Sequence, residues 1–325
     1  MAEVFAVVAA ADPTRRAIIK RLLPHLAEDP DSARRFAAEV ALLRQIPGPG
    51  IASVLDADLT DGQCWFAARF VDGLDLARLA ALIPPPWPAP VVAALASAGM
   101  ALLADVHAAV GAAGQRLGIV HRDVSPQNLM LDRDGGVWLV DFGVARADGF
   151  ELHTAAQVLN ARHAYLSPER LQRGPVDGRS DIFALAIVVW ELATGQRLFL
   201  GTDPADTLER VAACNVPDPR DFLPKMPASL AHAMLTCLAA DPAARPSDAA
   251  TAARMFSDPT DAAIDGCDRK YTTRVREAAM PSLRAFLGAH PAALTAIAAL
   301  EARFAPPVPR TTPPAEPSTL ASPPA

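Results

Sequence analysis

The chain has 325 residues, of which 51% are apolar, and carries 36 acidic against 30 basic side chains. That length holds one large domain or two modest ones, and a net charge of −6 offers no basic field for a nucleic-acid partner. Four scattered cysteines (Cys64, Cys214, Cys237, Cys267) lack metal-ligand spacing and read as reduced thiols of a cytoplasmic protein. Met1-Ala2-Glu3 lacks the basic start of a signal peptide.

In chain order, Asp31 to Ile46 is the first clear helix, with Phe36, Val40 and Leu43 on one face and Glu39 beside it. Pro47-Gly48-Pro49-Gly50 ends it. Ile51–Leu59 and Cys64–Val71 read as paired strands turning at Thr60-Asp61-Gly62. Asp75–Ile83 and Pro90–Gly111 are helices, the second long, alanine-rich and nearly uncharged; His107 on it reads as a packed histidine. Leu79 to Ala104 is free of charge, but its prolines leave less than the roughly 20 residues a membrane span needs, so no span is expected. Ala147–Glu169 is polar, without period, and reads as a mobile loop. Ser180–Thr194 is an apolar helix closed by Gly195. Helices at Pro204–Cys214, Ala228–Ala239 and Ser247–Met255 follow, then two amphipathic ones, Asp268–Leu287 and Pro291–Phe304. The last pair either packs on the preceding helices or binds a partner. Residues 305–325 are too rich in Pro, Ala, Ser and Thr to fold.

The most informative stretch is Ile119–Arg146, IVHRDVSPQNLMLDRDGGVWLVDFGVAR. Leu129-Met130-Leu131 and Val137-Trp138-Leu139-Val140 are short apolar strands around a turn with Asp-Gly chemistry. Folding that hairpin brings Asn128 at its start close to Asp141 at its end, with Asp123 on the loop just before. Two hard oxygen ligands and a neighbouring carboxylate suit magnesium with a phosphate substrate. His121-Arg122-Asp123, Asn128 and Asp141-Phe142-Gly143, followed by Ser167-Pro168-Glu169, resemble the catalytic loop and metal motif of protein kinases. The chain is similar to bacterial eukaryotic-like (Hanks-type) serine/threonine protein kinases from its start to about Phe256. A polar turn between two buried strands would explain the hairpin but not the ordered set.

The resemblance implies a two-lobed α+β fold, with a small sheet and one helix in residues 1–72 and a mainly helical lobe in 73–257. Residues 258–304 would be a helical extension and 305–325 a disordered tail. It implies that Ala2-Glu3-Val4-Phe5 continues a glycine-rich phosphate loop whose first strand and first two glycines are missing, so that Met1 is a residue inside that loop of a longer protein. Ala17-Ile18-Ile19-Lys20 would be the strand whose lysine sets the phosphates of ATP, fixed by Glu39. Val4, Ile18, Ala68 and Met130 would surround the adenine, backbone groups near Arg69 and Val71 would hold it, and Ile18 would narrow its pocket. Asp123 would orient the acceptor hydroxyl of a serine or threonine in a protein substrate, and Asn128 and Asp141 would hold magnesium. Arg122 and Arg146 would clamp a phosphate on Thr154. Glu169 would pair with Arg245 and Asp181 would bind backbone groups of the catalytic loop, both structurally. The chain departs from the family at Ser125, where a lysine contacts the transferring phosphate; Arg162 is the candidate substitute. The competing readings are a pseudokinase, favoured by Ser125 and the incomplete loop, and a kinase-fold enzyme acting on small molecules, disfavoured by Ser167-Pro168-Glu169.

Overall fold

The computed structural model describes residues 2–9, 12–46, 48–60, 64–111, 113–142, 156–257 and 269–302. The first element is β1 (Ala2–Ala9), paired antiparallel with β2 (Asp12–Leu22). A single-turn helix, α1 (Pro24–Ala27), leads into α2 (Pro30–Gln45). The Asp29 carboxylate caps α2 by accepting from the Ser32 N–H, and Pro30 occupies the first turn, where a missing N–H costs nothing. Phe36, Glu39, Val40 and Leu43 are the buried residues of α2, the face its spacing foretells. Next come β3 (Val54–Asp58) and β4 (Trp65–Arg69), completing a four-stranded sheet in the order β1-β2-β4-β3.

The second lobe opens with β5 (Gly73–Asp75), α3 (Leu76–Leu82) and α4 (Ala89–His107). A hairpin of β6 (Leu129–Asp132) and β7 (Val137–Leu139) then joins β5 in a three-stranded sheet. The remainder is helical: α5 (Ala156–His163), α6 (Pro168–Leu171), α7 (Gly178–Thr194), α8 (Pro204–Ala213), α9 (Ala228–Cys237), α10 (Ala249–Phe256), α11 (Arg269–Gly288) and α12 (Pro291–Ala302). Every residue of α7 from Ser180 to Thr194 is buried, and α4, α9 and α10 pack around it. Asp177 caps its start and Gly195, at φ 71°, ends it in the left-handed conformation that glycine adopts without a Cβ clash.

Three sequence expectations change, and one left open is decided. The helix expected over Pro90–Gly111 starts one residue earlier and stops at His107, because Val110 turns back to bridge Arg116. Pro90 does not shorten it, since the proline sits in its first turn. At 19 residues α4 is long and apolar enough to cross a membrane, yet 67% of that stretch is buried inside the fold, which explains its composition as a core helix. Part of the expected Ala147–Glu169 loop is helix α5, seated on α8 through Asn160, whose amide donates to the Gly201 carbonyl and accepts from the Thr207 hydroxyl. Lacking an apolar stripe, α5 gives no periodic signal. The C-terminal pair packs on the helical lobe, α11 against α4 and α12 against α3 and β5. Burial pushes the Cys237 thiol up to about 12, leaving it unreactive at neutral pH.

Candidate active site

Three side chains from distant parts of the chain meet between the lobes. The Lys20 ammonium on β2 lies 2.8 Å from Glu39 on α2 and 3.1 Å from Asp141 just past β7. Burial would lower the lysine pKa, but the carboxylates of Asp141 and then Glu39 more than offset it, so it lies above its ordinary value and the group is charged at neutral pH. Lys20 shares a sheet face with its cross-strand partners Val4 and Phe66, and the same face carries Ile18 paired with Ala68. That apolar strip, with Val4 62% exposed and Ala68 buried, is where the adenine-surrounding residues were expected. Arg69 donates its N–H to Ser53, and the Val71 carbonyl accepts from Gly73.

Asp141 has a positive φ of 55°, a conformation that aspartate tolerates better than most residues. The next residue holds it there: Phe142 is 3% exposed and its ring lies 4.6 Å from that of His121. The hairpin closes on itself as its spacing requires, with Val140 donating to the Asn128 carbonyl at 2.9 Å.

The catalytic loop is held from beneath by α7. The buried Asp181 carboxylate accepts from the backbone of His121 at 2.7 Å and of Arg122 at 2.9 Å. Burial raises its pKa, but the His107 hydrogen bond and the other partners outweigh this and leave it below the ordinary value. Arg122 has φ 66°, an unfavourable conformation for a non-glycine residue, which these two bonds and an Arg170 guanidinium donating to the Arg122 carbonyl maintain. His107 lies 2.8 Å from Asp181, so it is a polar partner of the loop's anchor and not merely a packed ring. Burial lowers the His121 pKa. Its Nδ1 accepts from the Asp123 N–H, so the proton of the neutral ring sits on Nε2, facing the Val140 carbonyl at 3.2 Å.

Asn128 donates from Nδ2 to the Asp123 backbone carbonyl at 2.7 Å and to its carboxylate at 2.8 Å. Both partners are acceptors, which fixes the amide orientation and leaves Oδ1 as its remaining acceptor. That oxygen and the 58% exposed Asp141 carboxylate are hard-oxygen groups of the kind magnesium takes, an ion that needs few protein ligands. Ser125 is 5% exposed and carries no charge to the site. Arg162 on α5, Arg122 and Asp123 line a common pocket. Glu169 and Arg245 form a bidentate pair at 2.9 and 2.8 Å. Arg146 and Thr154 lie outside the described residues.

Sequence reasoning missed several contacts. Lys20 has a second carboxylate partner in Asp141. The Arg69 guanidinium covers the Trp138 ring at 5.1 Å, and Arg133 pairs with Asp72 at 2.6 Å, tying the inter-lobe segment to the hairpin. None has a spacing signal, because each joins elements far apart in the chain.

Residues 1–258 match the family described as protein kinase domain. Among curated proteins, the chain is 32% identical over 263 residues to the tyrosine-protein kinase MasK of Myxococcus xanthus, covering 79% of this chain and 40% of that one. It is 32% identical to the probable serine/threonine-protein kinase PkwA of Thermomonospora curvata, covering 76% and 31%. It is 33% identical to the DNA damage-responsive serine/threonine-protein kinase RqkA of Deinococcus radiodurans, covering 70% and 34%. The chain thus spans well under half the length of these relatives. The crystal structure of the Mycobacterium tuberculosis PknI kinase domain superposes with a TM-score of 0.57 at 28% identity, covering 79% of this chain and 89% of that one. Kinases of this kind generally use ATP and magnesium. With the Lys20–Glu39 pair closed and the match running through both lobes, this chain belongs to the protein kinase family, with the bacterial Hanks-type enzymes.

Proposed function

We propose that this protein transfers the γ-phosphoryl group of ATP to serine or threonine hydroxyls of protein substrates. The observation that supports this best is the closed Lys20–Glu39 pair beside Asp141, with Asp123 and Asn128 hydrogen-bonded to each other on the adjoining loop. Catalysis of this transfer rests on positioning and on charge set against the moving group. In this reading Val4, Ile18, Ala68 and Met130 pack on the adenine, backbone groups at Arg69 and Val71 hold its edge, and Lys20 sets the phosphates. Asp123 orients the acceptor hydroxyl and takes its proton, while Asn128 keeps that carboxylate in place. Asn128 and Asp141 would hold magnesium, which when bound supplies positive charge against the phosphates. Arg122, with Arg146, would receive a phosphate on Thr154. The reading places the protein in the cytoplasm, where ATP and reduced thiols coexist.

Ser125 leaves the transferring phosphate without a lysine, and Arg162, which lines a pocket with Asp123, is proposed to supply that charge. Losing one such group costs on the order of 10²–10³ in rate. An Arg162→Ala variant is therefore expected to fall by that factor, and full activity would end this assignment. Pro126 follows the serine/threonine form of the loop. Phosphoamino-acid analysis of an acceptor protein labelled with ATP and magnesium, beside an Asp141→Ala control, tests the whole reading: phosphoserine or phosphothreonine is expected, and phosphotyrosine alone would redirect it. The second reading, a pseudokinase that binds nucleotide without turnover, is favoured by the buried, uncharged Ser125 and would appear as nucleotide binding with no labelled product.

A further inference from the structure

Helix α11 lies beyond the matched family region, yet it reaches two segments that flank the cleft. Arg276 on α11 is 9% exposed. Its guanidinium pairs with Asp105 of α4 at 2.7 Å and donates to the Pro49 carbonyl at 3.1 Å, in the loop joining α2 to β3. The Thr272 hydroxyl donates to the same Asp105 carboxylate at 2.6 Å. Two turns further along, Arg284 pairs with Asp134 in the β6–β7 turn at 3.0 Å and donates to its carbonyl at 3.2 Å. Between these contacts the Met280 carbonyl packs on Gly135, whose φ of 87° requires glycine and where a Cβ would come within 2.4 Å of that oxygen.

The two segments held this way are themselves joined, since Leu139 donates to the Gly50 carbonyl at 2.8 Å. The first segment fixes the C-terminal end of α2, which carries Glu39. The second is the hairpin whose end carries Asp141. Lys20 must reach both carboxylates at once, at 2.8 and 3.1 Å. Their separation is therefore set by the path from α2 through the Pro49–Gly50 loop to β7, and α11 clamps that path from outside.

We propose that α11 is a brace for the nucleotide site and that Arg276 is a positioning residue acting through Glu39 and Asp141. The proposal rests on the kinase reading above for its kinetic arm alone. Arg276→Ala and Arg276→Lys are made in the full chain; the lysine variant keeps the charge but not the rigid guanidinium, whose Nη1 serves the Asp105 carboxylate and the Pro49 carbonyl together. Hydrogen exchange is expected to rise in residues 36–51 and 128–142 of both variants while α7 and α9 stay protected. The KM for ATP is expected to rise, with kcat/KM falling about tenfold or more, as small misplacements near a reacting centre do. In a Glu39→Gln background the same Arg276 change should cost little more, because the pair it positions is already broken.

Exchange that rises only within α11, or uniformly across the protein, would overturn the proposal, as would fully multiplicative effects of Arg276 and Glu39 on ATP affinity. If the unmodified chain shows no turnover, the kinase reading fails. The exchange pattern, with the affinity for a fluorescent ATP analogue, still decides whether α11 is a brace. Should the alanine variant not fold, the lysine variant carries the same comparison.

Discussion

Asp181 illustrates how one buried carboxylate serves chemistry it never touches. It sits on the most buried helix, and its two oxygens receive both backbone N–H groups of a loop that must hold Arg122 at positive φ. Asp181→Ala would leave two buried donors without their partner, a loss of roughly 3 kcal/mol, and would free the Arg122 backbone to relax. A lowered urea midpoint, with a fall in kcat larger than that in ATP affinity, is the expected result. Glu169 and Arg245 form a buried ion pair. Burial opposes ionisation of Glu169, yet the Arg245 and Ser180 hydrogen bonds win and hold it at about 2 against an ordinary 4.5. Its folded pKa is depressed, so the stabilisation is present above 4.5 and is lost as pH falls towards 2. The difference corresponds to about 3 kcal/mol. His121 works in the same direction at higher pH. Its folded pKa lies below 6.5, so the unfolded chain takes up that proton first and stability falls as pH drops through 6.5. Thermal melts between pH 7 and 3 should thus fall continuously, and Glu169→Gln should flatten the part below pH 4.5.

Among the elements, α7 ends on a glycine in the left-handed conformation. Gly195 has φ 71° and lies against the Pro85–Pro86 backbone, where a Cβ would stand 3.2 Å from the Pro85 oxygen. Gly195→Ala is expected to destabilise the protein by about 1 kcal/mol, read as a lower urea midpoint at unchanged slope. The apolar runs of α4 and α7 show how composition misleads when read without packing. Both are apolar over most of their length because most of their residues are buried in the fold. α5 is the converse, a helix with no stripe to announce it, held by Asn160, Gly201 and Thr207.

At the scale of the molecule, the lobes are joined by side chains as well as by the connecting segment. Lys20–Asp141, Arg69–Trp138 and Arg133–Asp72 all tie the first lobe or its exit to the β6–β7 hairpin. No group of three or more His, Cys, Asp or Glu side chains that could hold a metal ion exists among the described residues. Adding EDTA is expected to abolish phosphoryl transfer while leaving the melting temperature of the nucleotide-free protein unchanged. A large drop in that temperature would point to a structural ion instead.

The amino-acid sequence by itself determined the order of the catalytic groups and the hairpin that brings Asn128 back to Asp141, because a two-strand turn is local and its spacing is written in adjacent residues. It also determined the buried face of α2 and, through resemblance, the pairing of Lys20 with Glu39 and of Glu169 with Arg245. Only the tertiary structure decided that Asp141 is the second partner of Lys20, that His107 supports Asp181, and that α11 packs back on α4. Those contacts join elements tens to hundreds of residues apart, and which surfaces meet depends on how whole helices stack, which no local period or spacing encodes.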